Sequence, residues 1–156
     1  MTKKQLVLLL FLPWLCFAAT AQNNATCEQL KFVLNALVSK QPEKVMDRSK
    51  KIGLLHYASK VNINGFEHCR ILDAGSGVIQ FEATYAGSDL KDNRKALQEL
   101  KSLIAVCLSG GYTAGSRGNT YMWYKNGNPS AGSVTVYDRG NGQLLEIEIS
   151  GYAVEL

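Results

Sequence analysis

Two stretches of this chain repeat apolar residues at helical spacing, and each is followed by runs in which apolar and polar residues alternate. That succession restricts the fold more than any other feature, because it demands helices and strands that share one core. In the first stretch Cys27, Leu30, Leu34, Leu37 and Val38, with Val33 beside them, recur every three or four residues and form one face of a helix. Thr26 stands at the N-cap position and Gln29, three residues on, completes a capping box. Pro42 disfavours helical geometry at Gln41, which sets the end near Lys40. The second helix is expected from about Asp92 to Leu108, with Ala96, Leu97, Leu100, Leu103, Ile104, Cys107 and Leu108 as its buried stripe. Asp89 and Asp92 suit its positive end, and Gly110-Gly111 can close it in left-handed geometry.

The strands are read from period-two runs and turn residues. His68 to Leu72 and Val78 to Tyr85 flank Asp73-Ala74-Gly75-Ser76-Gly77, a hairpin by loop length and glycine content. Tyr112 to Gly118 reads as a mobile glycine-rich connector. Beyond it Thr120 to Lys125, Ser133 to Asp138 and Gln143 to Ser150 are strands, separated by Asn126-Gly127-Asn128-Pro129 and Arg139-Gly140-Asn141-Gly142. In the last, Leu145, Ile147 and Ile149 alternate with Glu146, Glu148 and Ser150, so one face of the sheet is buried and the other wet. The lysines from Lys40 to Lys51, interrupted by Glu43 and Asp47, read as a solvated surface segment. The expected fold is α+β and two-layer: two amphipathic helices packed on one face of an antiparallel sheet of about five strands, in the order α-β-β-α-β-β-β, with room for a further strand near Leu54.

Asp73-x-Gly75-x-Gly77 and Asp138-x-Gly140-x-Gly142 share one pattern, and each hairpin lies C-terminal to an amphipathic helix. Two related halves or independent use of the same turn chemistry would both produce it, and one five-residue pattern favours the second explanation.

The N terminus has the layout of a secretory signal. Lys3 and Lys4 precede an uncharged run from Leu6 to Phe17, and Ala19-Thr20-Ala21 offers a small-x-small cleavage site. Residues 1–21 are therefore expected to be removed, leaving one α+β domain over residues 22–156 in the periplasm or outside the cell. Cys16 is a poor lipidation site because Leu15 is bulky. Cleavage takes two lysines and no acid, so the formal charge of +4 falls to +2. This near-neutral balance argues against nucleic acid as a partner, since such binding needs a clustered basic face. No later segment is apolar for long enough to insert stably in a membrane.

Three cysteines remain: Cys27, Cys69 and Cys107. Export permits a disulfide, and an odd number leaves one thiol over. The expected bridge is Cys69–Cys107, between a strand and the helix that covers it; the rival is Cys27–Cys107, between the start of one helix and the end of the other. No cofactor or metal is implied, because neither cysteine nor histidine shows zinc-ligand spacing. His68 beside Cys69 is a poor catalytic pair, since neighbours in a strand point to opposite faces. A Gly-x-Ser-x-Gly elbow is missing, and the glycine run after the second helix follows a C-terminus, the wrong end for phosphate.

The expected function is an exported, noncatalytic binding or interaction module whose partner is a protein or small ligand, with a homodimer left open. Its contact residues are expected to be Tyr112, Arg117, Tyr121, Trp123 and Tyr124, where aromatics and arginine gather beside a glycine-rich segment. The alternative is a small secreted hydrolase with a site assembled from dispersed residues.

Overall fold

A computed structural model of the chain describes residues 23–75, 77–85, 93–125, 131–139 and 144–151. The expected signal segment and its cleavage site, Asp89, Asp92, the expected turn at residues 126–129 and residues 140–142 lie outside these residues. The fold is α+β. Helix α1 covers residues 23–38, a short 3-10 turn follows at Pro42–Lys44, and helix α2 is Asn93–Cys107. The strands are β1 (Met46–Lys51), β2 (His56–Ser59), β3 (Phe66–Asp73), β4 (Ile79–Tyr85), β5 (Tyr112–Arg117), β6 (Thr120–Lys125), β7 (Ser133–Arg139) and β8 (Leu144–Ser150).

These strands form one eight-stranded sheet in the order β1-β2-β3-β4-β8-β7-β6-β5, antiparallel throughout. The chain is thus a helix and a four-strand meander, then a second helix and meander, joined through β4 and β8. Their register carries a symmetry. Glu82 and Glu148 are direct cross-strand partners, flanked by Gln80↔Ser150 and Thr84↔Glu146. The equivalence that carries Glu82 to Glu148 carries Gln80 to Glu146 and Thr84 to Ser150, so the two meanders are related by a pseudo-twofold axis between the two glutamates. Asp73 and Asp138, the first residues of the two Asp-x-Gly-x-Gly patterns, both stand near the end of the third strand of a meander.

The expected five strands and the order α-β-β-α-β-β-β therefore need correction: each helix is followed by four strands. The additional ones are β2, near the extra strand expected around Leu54, and the two edges, β1 and β5. Edge strands bury little and need no apolar alternation, which is why Met-Asp-Arg-Ser-Lys-Lys reads as a charged surface segment and Tyr-Thr-Ala-Gly-Ser-Arg as a connector. Both hydrogen-bond into the sheet nonetheless.

One face of the sheet and the stripes of both helices make a single core. Leu30, Val33, Leu34 and Leu37 of α1 and Ala96, Leu100 and Ile104 of α2 join Ile71, Phe81, Ala83, Val134, Val136, Leu145, Ile147 and Ile149. Gly110 and Gly111 end the second helical segment at φ 89° and 124°, the left-handed closure that glycine makes without strain. Gly132, at φ +93°, lets α1 approach the sheet: a Cβ there would stand 2.5 Å from Cγ2 of Val38 and 2.8 Å from Cδ1 of Leu34.

Thr26 is not a cap. It lies inside α1, buried, and its hydroxyl donates to the Asn64 carbonyl at 3.3 Å. Gln29 Oε1 accepts from the Asn64 N–H at 2.8 Å. The two residues read as a capping box instead tie α1 to the turn before β3.

The disulfide joins Cys27 to Cys107, with Cα atoms 4.8 Å apart. The expected Cys69–Cys107 bridge is not formed, and Cys69 is a free, half-buried thiol. The reason is the helix layer: the start of α1 lies beside the end of α2, and each helix brings its cysteine to that meeting point. Burial pushes the Cys69 thiol above its ordinary titration range, so it stays protonated and inert.

Candidate functional site

The helices cover one face of the sheet. On the other face a cavity of about 530 Å³ opens over β3, β4, β7 and β8, lined among others by His68, Arg70, Glu82, Tyr137, Arg139, Glu146 and Glu148. It lies at the pseudo-twofold axis, because Glu82 and Glu148 face each other across the central strand pair. The outward phase of β8, wet in the sequence reading, supplies Glu146 and Glu148. Ion pairs and hydrogen bonds fix most of these side chains. Arg70 Nε donates to Glu82 Oε2 at 2.7 Å, and His56 Nε2 lies 3.3 Å from the same oxygen. Arg139 Nε donates to Glu146 Oε2 at 2.9 Å, and the Arg139 guanidinium lies 4.7 Å from the centre of the Tyr137 ring.

Glu148 differs from its neighbours. Its partners are neutral: Gln80 Nε2 donates to Oε1 at 3.0 Å and the Tyr137 hydroxyl to Oε2 at 3.4 Å. Burial, reinforced by the nearby Glu82 charge, pushes its carboxyl above the usual range against the lowering effects of the Tyr137 hydrogen bond and the Arg139 charge. Burial and then Glu148 push the Tyr137 hydroxyl up to about 12, which keeps it a neutral donor. Thr135 is the cross-strand partner of Glu148, and its buried hydroxyl has no hydrogen-bond partner. A buried unpaired polar atom is uncommon in a finished interior.

His68 reaches this face through a bulge. The β3–β4 register breaks between Glu67 and Arg70, and His68 sits at φ 53°. Two residues, His68 and Cys69, occupy one position of the ladder, so Cys69 packs against the core while His68 is exposed and lines the cavity. Left-handed geometry strains a residue with a Cβ by about 1–2 kcal/mol, less for histidine than for most. His68→Gly is expected to raise stability by about 1 kcal/mol in chemical denaturation. A loss of stability would mean that the imidazole holds the bulge.

The aromatic residues singled out in the sequence are not gathered in one place. Trp123 is 5% exposed within the core, and Tyr112 and Tyr121 pack against that core on the helix side. The Lys101 ammonium lies 4.1 Å from the centre of the Tyr121 ring. Tyr124 and Arg117 fall in the opposite phase of their strands, Tyr124 half-buried and Arg117 exposed. None of the five lines the cavity. The residues missed were the outward glutamates and arginines of β3, β4, β7 and β8, whose signal was present as Glu146 and Glu148 in alternation with buried residues. What one strand cannot reveal is that β4 lies beside β8.

Among the described residues no three His, Cys, Asp or Glu side chains are gathered as a metal site, and no helix is long and apolar enough to cross a membrane. Comparison with family models, with curated proteins and with solved structures gives no significant match, so the site is read from its own geometry.

Proposed function

We propose that the protein is an exported, noncatalytic binding module whose ligand seat is the cavity on the helix-free face, and that its ligand is a small polar molecule carrying a protonated amine. The observation that carries this reading is Glu148. Glu82 and Glu146 each accept a hydrogen bond from a guanidinium, whereas Glu148 is half-buried with two neutral donors, Gln80 and Tyr137, on its oxygens, and Arg139 acts on it only through its charge. A ligand ammonium supplies the directly paired cation that Glu148 lacks, and the remaining N–H groups of Arg70 and Arg139 are left for its polar atoms. The Cys27–Cys107 bridge is compatible with an oxidising compartment. Trp123 and Tyr121 are committed to the helix side of the sheet, so the seat is assigned to the glutamates and arginines rather than to the aromatic patch around Tyr112, Arg117, Tyr121, Trp123 and Tyr124.

Thermal unfolding with a panel of amines tests this: a polyamine, an amino sugar, free amino acids and a dipeptide. A ligand at a hundred times its Kd stabilises by about 2.7 kcal/mol, a rise of roughly 5–10 °C for a chain of this size. The compound is expected to be recovered unchanged. A panel that leaves the melting temperature unmoved would contradict the proposed ligand chemistry.

One observation favours the second reading, a small secreted hydrolase. Glu82 and Glu148 are adjacent carboxylates in unlike surroundings, Glu82 paired with Arg70 and His56 and Glu148 with its carboxyl raised by burial, an arrangement that suits Glu148 to act as an acid. Turnover of a chromogenic glycoside, abolished in Glu148→Gln, would favour the hydrolase over the binding module.

The raised carboxyl also has a stability consequence. Glu148 titrates higher in the folded chain than in the unfolded one, so folding favours its protonated form. That contribution is fully present below the ordinary glutamate range and is lost as pH rises through the folded value. Glu148→Gln is therefore expected to melt higher than the parent at pH 7, with the difference closing toward pH 4. A variant that melts lower at pH 7 would show that the ionised carboxylate stabilises the fold and is not held there at a cost.

A further inference from the structure

The hairpin joining β1 to β2 ends in three exposed large apolar side chains close together in sequence, one of them the most exposed such side chain among the described residues: Leu54 is 85% exposed, Ile52 56% and Leu55 44%. Every residue from 48 to 55 is exposed. The turn itself is anchored. The N–H groups of Ile52 and Gly53 donate to the His56 carbonyl at 2.9 and 3.3 Å, and the Asp73 N–H donates to the Leu55 carbonyl at 2.8 Å. The backbone is thus held at its base while three large apolar side chains stand away from the core.

Cations precede them. The β1–β2 ladder pairs Asp47 with Ala58 and then Lys51 with Tyr57, so Arg48, Ser49 and Lys50 loop out of register. Arg48, Lys50 and Lys51 precede the apolar tip with no acid between Arg48 and Leu55. Of the flanking acids, Asp47 is turned back onto Ser49, accepting from its N–H at 3.1 Å and its hydroxyl at 2.7 Å. Asp73 lies 3.9 Å from Arg48 and offsets part of its charge. Lys51 lies 5.9 Å from the centre of the Tyr57 ring and is exposed.

We propose that this hairpin tip docks reversibly on an anionic lipid surface, with Ile52, Leu54 and Leu55 at the acyl boundary and Arg48, Lys50 and Lys51 among the headgroups. The charge pattern selects this occupant. An apolar cluster edged by three cations, of which only Arg48 is partly offset by a carboxylate, complements a layer whose outer charge is negative and whose interior is hydrocarbon. Three apolar side chains are too few for a permanent anchor, so the contact is peripheral and exchanges with the free protein.

Co-sedimentation of the exported protein with phosphatidylcholine vesicles, with and without phosphatidylglycerol, tests the proposal, since variants sharing one N terminus cancel any contribution from that end. The parent is expected to partition onto the anionic vesicles at least about tenfold better than onto the neutral ones. Leu54→Asp, and separately the pair Lys50→Glu and Lys51→Glu, are each expected to lower that partition about tenfold or more with the melting temperature unchanged, because these side chains are exposed. Equal partition on both vesicles, or an unaffected Leu54→Asp variant, would overturn it. So would failure to bind vesicles while Leu54→Asp abolishes capture of a protein from lipid-free envelope extract, which would make the tip a protein-docking surface.

Discussion

Replacing Cys27 and Cys107 by serine is expected to destabilise the protein by about 4.5 kcal/mol. The bridge closes a loop with a sequence separation of 80, and the chain-entropy relation assigns about that much to a loop of this length. For a domain of this size the melting temperature should fall by at least roughly 10 °C. Reduction of the parent protein should reproduce the loss, whereas Cys69→Ser should change stability by about 1 kcal/mol or less because Cys69 is a half-buried free thiol. Peptide mapping without reduction is the independent check. A linked peptide containing Cys69, or a serine pair as stable as the parent, would refute the pairing.

Trp123→Ala is the second large effect, expected to cost about 3–5 kcal/mol in chemical denaturation. The indole is 5% exposed and packs in the cluster that both helices share with the sheet. Its removal leaves a cavity at β6, where Val134 of β7 and Ala114 of β5 are its cross-strand neighbours. An unchanged melting temperature with loss of ligand binding would instead make Trp123 a contact residue and return the binding site to the aromatic patch.

How far the sequence discloses this molecule depends on whether an element carries its own periodicity. The stripes of α1 and α2 and the alternation of β8 do, because each buries one face against the core, and all three are legible. β1 and β5 do not: edge strands are held by backbone hydrogen bonds from one side, which are indifferent to side-chain pattern. Gly115 within β5 further disguises it. The bulge at His68 is also invisible, since it changes the phase of β3 without a glycine to mark it. The disulfide turned on relative placement: a stripe shows that Cys107 is buried but not whether a strand or the end of another helix lies against it.

The same limit governs the candidate site. Arg70, Glu82, Glu148 and Arg139 are ordinary outward residues of four strands, each unremarkable in its own segment. Only the joining of β4 to β8 makes neighbours of Glu82 and Glu148, and only burial around the cavity pushes the Glu148 carboxyl above the usual range. Thr26 and Gln29 teach the same lesson in small, since their spacing suits a capping box and their side chains serve the Asn64 backbone instead.

The most direct measurement is calorimetric titration of the strongest-binding amine from the panel, at pH 7 and pH 4, into the parent protein and into Glu148→Gln. An ammonium seated on Glu148 requires that carboxyl to be ionised, so affinity is present above its raised titration range and is lost as pH falls through it. Binding at pH 7 by the parent, weakened at least about tenfold at pH 4 and by a similar factor in Glu148→Gln at pH 7, is the expected result. Equal affinity in the parent and in Glu148→Gln would place the ligand elsewhere on the protein and contradict the assignment of the seat.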